Sequence, residues 1–280
     1  LSAPKSLIAA VYLLAAAHAG ALHGKDGARA DDAAGNPFTV GERLVYTVQW
    51  DPPWYFFFLP RMHAGEAELW LAEETEHRGR KVLRISFNAR SSGALINLTG
   101  MKIEDHFVFL SETGTLCALR ASSVIREGRR KRRIDVEYMG ESGSLHIRDL
   151  DESVTPPAVR KDTVKEGIPA CVQDPFSALY FLRTLPLTAG YEHTSLLAND
   201  DLIKEVRSRV KKQDVVEAPA GRFTAWKIET IALMGGLFKE GGQFSMWLSA
   251  DEKKIPVQFE IQVKLGRVFG RLKEVSHIRP

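Results

Sequence analysis

Ile255-Pro256-Val257-Gln258-Phe259-Glu260-Ile261-Gln262-Val263-Lys264-Leu265 is the stretch whose period decides the fold. Ile255, Val257, Phe259, Ile261, Val263 and Leu265 are apolar, and all but the proline of their intervening partners are polar or charged. Successive side chains on a strand point to opposite faces, so the segment reads as a strand with one dry face and one wet face. The same alternation recurs in Leu44, Tyr46, Val48 and Trp50, in Ala67, Leu69 and Leu71, in Ile134, Val136 and Tyr138, and in Phe244, Met246 and Leu248. One-sided burial argues for antiparallel pairing, because parallel sheets are covered on both faces.

Turn signals separate these runs at hairpin distances. They are His77-Arg78-Gly79-Arg80, Ser111 to Thr115, Glu127 to Arg130, Gly140-Glu141-Ser142-Gly143 and Ala218-Pro219-Ala220-Gly221. About a dozen strands follow, and so long a one-sided sheet curls to cover its apolar face. The expected fold is mostly β: a large curved antiparallel sheet, an open barrel or a two-sheet sandwich, with one short helix at about 174–184. Asp174-Pro175 marks that helix as an N-cap followed by proline in the first turn, and Pro186 stops it. Its apolar turns, Phe176 to Leu182, suit a plug on the concave side. The Pro-rich stretch from Val154 to Pro169 reads as the long connector.

The chain has 280 residues, a formal charge of +3, and 44% hydrophobic and 26% charged residues, which excludes a disordered tail, a collagen-like fibre and a multi-span membrane protein. At the N-terminus Lys5 precedes an apolar run from Leu7 to Ala17, then Ala17-His18-Ala19-Gly20. A basic start, a short apolar core and an A-x-A site form a secretory signal. The expected division is a signal peptide over 1–19, a disordered lead-in over 20–38 and a single β domain over 39–279. Two halves joined at about 150–173 are the alternative within it. Export, to the periplasm or outside the cell, makes a Cys117–Cys171 disulfide one of two open readings, two buried thiols being the other. Pairing would add roughly 4 kcal/mol in the chain-entropy model.

Several phrases occur in a telling order: Gly41-Glu42-Arg43-Leu44-Val45-Tyr46, Ala64-Gly65-Glu66-Ala67, Asp174-Pro175-Phe176-Ser177-Ala178-Leu179-Tyr180-Phe181-Leu182-Arg183, Pro219-Ala220-Gly221-Arg222-Phe223, Gly236-Leu237-Phe238-Lys239, and Met246 to Val257. The ordered set resembles the bacterial exported proteins grouped as domain of unknown function 3108, over roughly Gly41 to Val275. The resemblance implies a periplasmic, mostly antiparallel β protein, and it carries no catalytic residues with it. One departure stands out: the link from Trp50 to His63 is longer than the resemblance leads one to expect, and holds five consecutive aromatics.

No catalytic constellation is legible. There is no G-x-S-x-G elbow, no H-E-x-x-H and no phosphate loop; Gly235-Gly236 and Gly241-Gly242 lack the Lys-Ser/Thr that would complete one. His63, His77, His106, His146, His193 and His277 are scattered, and Asp105-His106 points to opposite strand faces. Neither a cofactor nor a metal is expected.

Two stretches are candidate contact sites. Arg126, Arg129, Arg130, Lys131, Arg132 and Arg133 carry only Glu127 among them and suit an anionic partner such as a lipid headgroup, or else a solvated hairpin tip. Nucleic acid is not expected outside the cytoplasm. Trp54, Tyr55, Phe56, Phe57 and Phe58 either cap the open end of the sheet, cover an apolar ligand, or enter a membrane interface. The expected function is a non-catalytic envelope protein binding or shielding a lipid or other apolar ligand. The alternatives are a structural or assembly factor binding another envelope protein, and more remotely a hydrolase. An interior cavity above about 300 Å³ would favour the ligand.

Overall fold

The computed structural model of the chain describes residues 36–56, 58–93, 96, 102–232, 244–263 and 266–277. The signal segment, most of the lead-in, Phe57, the glycine pairs at 235–236 and 241–242, Lys264 and Leu265 lie outside the described residues.

Among the described residues, fourteen strands form one antiparallel sheet. In chain order they are β1 (Glu42–Asp51), β2 (Met62–His77), β3 (Arg80–Ser91), β4 (Glu104–Glu112), β5 (Ala118–Glu127), β6 (Arg130–Met139), β7 (Ser144–Asp151), β8 (Ala158–Glu166), β9 (Glu192–Asn199), β10 (Leu202–Ala218), β11 (Gly221–Ala232), β12 (Phe244–Ser249), β13 (Pro256–Val263) and β14 (Gly266–His277). Helix α1 (Pro175–Thr184) stands between β8 and β9. The spatial order runs β8 back to β1, then β14 back to β9, so the first and last strands pair in the middle. Every neighbour other than that central pair is a sequence neighbour, which is why short hairpin signals were legible. Arg78 (φ 52°) and Gly79 (φ 77°), for instance, form a two-residue turn in which both residues are left-handed.

The sheet curls but does not close into a barrel, because its edges β8 and β9 do not pair. The segment before α1 ties edge strand β9 to the start of β5. The Gln173 amide donates to the Leu196 carbonyl at 2.8 Å, and Ala198 returns a bond to Gln173 at 2.7 Å. One residue earlier, the Val172 carbonyl accepts from Ala118 at 2.7 Å. A disulfide joins Cys117 to Cys171 beside these bonds, with the two Cα atoms 5.1 Å apart.

Alternation places the core. Leu44, Tyr46, Val48 and Trp50 of β1, Leu69 and Leu71 of β2, and Ile134, Val136 and Tyr138 of β6 are all buried inside the curve. Helix α1 lies in the concavity. Phe176 packs its ring 4.6 Å from Phe87 and 5.2 Å from Phe109, Tyr180 meets Phe38 at 4.9 Å, and Leu182 joins Ile228, Met246 and Leu248. The helix begins as its sequence demands. Asp174 accepts from the Phe176 and Ser177 amides at 2.8 and 2.9 Å, and Ser177 Oγ accepts from the Asp174 amide, completing a capping box.

One element corrects the sequence reading. The stretch from Val154 to Pro169 is not a connector throughout, because β8 occupies Ala158–Glu166 and pairs with β7. It is an edge strand exposed along its length, with Val159 and Val164 more than half exposed. A strand with neither face dry shows no two-residue hydrophobic period. Its charges guard the edge instead: the Lys161 and Lys165 amines both reach Asp201. The passage between the two runs of strands is therefore 167–191, which contains α1.

Candidate apolar cavity and basic rim

Helix α1 does not fill the concavity completely. Between it and β9 to β13 lies a cavity of about 110 Å³, lined among others by Tyr46, Phe176, Leu179, Leu182, Met246 and Phe259. The lining is overwhelmingly apolar, and its few polar groups are largely occupied: Ser208 and Thr230 hydroxyls bond each other at 3.0 Å, and the Tyr46 hydroxyl donates to the Pro256 carbonyl at 2.8 Å. Burial also drives the Tyr46 phenol far above its ordinary value, so it stays a neutral donor. Gly270 helps shape this wall. A Cβ there would overlap the Phe259 ring, which can lie across β14 only because position 270 has no side chain.

The cavity falls short of the roughly 300 Å³ expected for a drug-sized ligand. An apolar cavity of about 150 Å³ stays dry and takes up benzene. The present one thus admits a ring or a few methylenes, not a whole lipid. Its size follows from α1, whose bulky Phe176, Leu179 and Leu182 occupy most of the space the sheet encloses.

Below α1 lies the most buried ion pair among the described residues. Arg183 is fully buried and donates to Glu42 Oε1 at 2.6 Å and Oε2 at 2.8 Å, and also to the Lys253 carbonyl at 3.0 Å and the Pro37 carbonyl at 3.2 Å. Its guanidinium also lies over the rings of Tyr180 and Phe38. Burial pulls the Arg183 pKa down, but the bonds to Glu42 outweigh it and the net shift is upward, so the charge is retained. Glu42, Arg183 and Lys253 come from three of the phrases that carried the family resemblance.

The basic hairpin is partly neutralised by partners the sequence did not reveal. Arg133 Nε donates to Glu152 at 2.9 Å, and Arg126 reaches the same carboxylate. Arg132 Nε donates to Asp149 at 3.0 Å, and Arg130 to Glu127 at 2.8 Å. Arg129 and Lys131 remain exposed at the tip. Of the aromatic stretch, Trp54 to Phe56 form a 3-10 turn, and Trp54 is 86%, Tyr55 47% and Phe58 66% exposed. A buried cap over the open end does not describe these three rings.

Beneath the hairpin, Asp105 is 4% exposed and accepts from the Arg126 amide at 2.8 Å. Burial, reinforced by the neighbouring Glu127 carboxylate, pushes its pKa up to about 7. A folded-state value above the unfolded one means that its stabilising contribution is complete below about pH 4 and is lost as pH rises through 7. Asp105→Asn keeps the acceptor for Arg126 and removes the charge. Urea unfolding should therefore show a gain about 2–3 kcal/mol larger at pH 8 than at pH 5. Equal effects at both pH values would refute a titrating Asp105.

The histidines do not converge: His63 bonds Ser92, His77 bonds Glu137, His146 bonds Asp162 and His193 stacks on Phe181. Among the described residues no group of three or more His, Cys, Asp or Glu side chains could hold a metal. Asp105 is buried and His106 exposed, on opposite faces as the strand period requires.

Taken together, fold and interior define an open, barrel-like antiparallel sheet wrapped around one helix and a small apolar cavity. The chain belongs to the family described as protein of unknown function (DUF3108), whose model matches residues 45–273. No curated protein matches it. Among solved structures it is similar to a β-barrel-like protein of domain of unknown function DUF1849 from Brucella abortus, at 12% identity and a TM-score of 0.57, over 86% of this chain and 98% of that one. It also matches a protein with a YmcC-like fold from Bacteroides fragilis, at 9% identity and a TM-score of 0.35, over 85% of this chain and 96% of that one. At such identity the first likeness concerns the fold alone.

The sequence did not single out Glu42 and Arg183, Asp105 with Glu127, or the cavity residues. One signal was available: Arg183 closes an otherwise apolar helix, and so strong a charge beside Tyr180, Phe181 and Leu182 demands a buried partner.

Proposed function

We propose that the protein is a non-catalytic component of the bacterial cell envelope that holds a narrow apolar group, one ring or a few methylenes of an acyl chain, between α1 and β9 to β13. The observation that carries this reading is the apolar cavity of about 110 Å³ beside α1. Its lining reaches Phe244 at the start of β12 and Ile261 near the end of β13, so a longer chain can leave toward that end of the sheet. Export is supported by the N-terminal signal pattern and by the Cys117–Cys171 bond, since disulfides persist in oxidising compartments. The partner-binding reading draws less support, because edge β8 is guarded by lysines.

Native mass spectrometry of protein purified from the periplasm tests the reading. A bound species with acyl-chain mass is expected, and Ala178→Leu, which adds methylenes to the cavity wall, should reduce its occupancy several-fold while preserving thermal stability. A wild-type protein that is ligand-free and gains no stability from added fatty acids would overturn it.

A further inference from the structure

The aromatic turn and the basic hairpin are far apart in sequence, yet register places them on one rim of the sheet. Trp50 is opposite Met62 across the aromatic link, Gly65 is opposite Ser91, Arg90 opposite Glu104, and Ile103 bridges to Glu127 at the hairpin tip. From β1 to β5 the rim spans four strand spacings, about 19 Å. At its near end Trp54, Tyr55 and Phe58 stand out from the sheet.

The same arc carries excess positive charge, because its carboxylates are shared. Arg61 and Arg267, which meet Asp51 at 3.4 and 2.8 Å, are balanced, since Arg267 also reaches Glu260 at 3.4 Å; the excess lies further along the arc. Glu104 serves both Lys102, at 3.0 Å, and Arg90, at 3.8 Å. Glu152 serves Arg126 and Arg133. Arg129 and Lys131 add exposed charge, with no carboxylate in ion-pair range among the described residues. Arg61 and Arg267 are also held in place, one 4.8 Å and the other 5.2 Å from the Phe269 ring centroid. Exposed aromatics flanked by cations match the headgroup region of an anionic bilayer, where the rings enter the acyl boundary and the cations meet phosphates.

We propose that this rim docks the protein peripherally on an anionic membrane surface, with Trp54, Tyr55 and Phe58 inserted and the arc from Arg61 and Arg267 to Arg129 and Lys131 facing the phosphates. The proposal goes beyond the cavity reading and stands whether or not the cavity is filled. Were both correct, a chain leaving past Phe244 and Ile261 would emerge at the docked rim.

Co-sedimentation of the folded protein with vesicles of phosphatidylcholine alone, or mixed with phosphatidylglycerol, tests it. Binding is expected to the mixed vesicles and to weaken with salt. Trp54→Ser with Phe58→Ser should weaken it by about tenfold or more. Arg129→Glu with Lys131→Glu should weaken it by about fivefold per position at low salt. All four positions are exposed, so unchanged thermal unfolding will show that the variants fold. No binding to mixed vesicles, binding indifferent to the aromatic pair, or an aromatic-dependent self-association without vesicle binding would each overturn it. Loss of a ligand in mass spectrometry with vesicle binding intact would count only against the cavity reading.

Discussion

Arg183→Met is expected to lose about 3–5 kcal/mol of unfolding free energy. The reason lies in what stays behind. Glu42 is 4% exposed and accepts from Arg183 at both carboxylate oxygens, with only a long 3.4 Å bond from the Tyr180 hydroxyl besides, so truncation leaves a buried charge without its main partner. The Pro37 and Lys253 carbonyls lose a donor as well, and the lead into β1, the end of α1 and the turn before β13 are no longer tied together. Removing both charges is a different matter. Glu42→Leu with Arg183→Met leaves no orphaned ion, and well-packed apolar replacements of buried pairs are often neutral. The double variant should therefore recover most of the loss, and a double-mutant cycle in urea should give a coupling of several kcal/mol. A single variant that loses under about 1 kcal/mol would show that the pair does not lock α1 into the sheet.

How much of this was legible in the sequence depended on whether the relevant physics is local. Strand alternation is local: Leu44 to Trp50 and Ile134 to Tyr138 showed their buried face in five to seven residues, and the structure buries those residues. The cap of α1 is local too, because Asp174, Pro175 and Ser177 satisfy each other's backbone. β8 was missed because an edge strand has no dry face to create a pattern. The charge of the hairpin was overestimated for the opposite reason: Glu152 and Asp149 lie on or just beyond the next strand and cancel much of it only through pairing. Glu42 and Arg183 are 141 residues apart, and nothing short of the sheet order, in which the first strand reaches the middle, brings the start of β1 beneath the end of α1.

The aromatic stretch shows how far burial arithmetic reaches. Five consecutive aromatics imply that something covers them, since burying even half of that surface is worth several kcal/mol. The fold leaves Trp54 86% and Phe58 66% exposed, and the membrane docking proposed above would cover them. That step, from an unpaid hydrophobic cost to a partner, was available from sequence; the choice of partner required the sheet register that brings the cations to the same rim.

Cys117→Ser with Cys171→Ser should cost about 4 kcal/mol, because the bond closes a loop of separation 54 in the unfolded chain. The location of the loss is as informative as its size. Cys171 immediately precedes Val172 and Gln173, whose bonds to Ala118, Leu196 and Ala198 join the start of β5 to edge strand β9. Asp174, which caps α1, follows at once, and its second oxygen accepts from Ser111 at 3.1 Å. Freed of the crosslink, this segment should open before the rest of the sheet. Hydrogen exchange should then show lost protection at Ala118, Gln173, Ala198 and the first turn of α1, while β1, β2 and β14 in the middle of the sheet keep theirs. Reduction of the wild-type protein should reproduce the pattern. Uniform loss of protection across all strands would instead mean that the bond stabilises only through the unfolded chain and has no particular part in holding β9 to the start of β5.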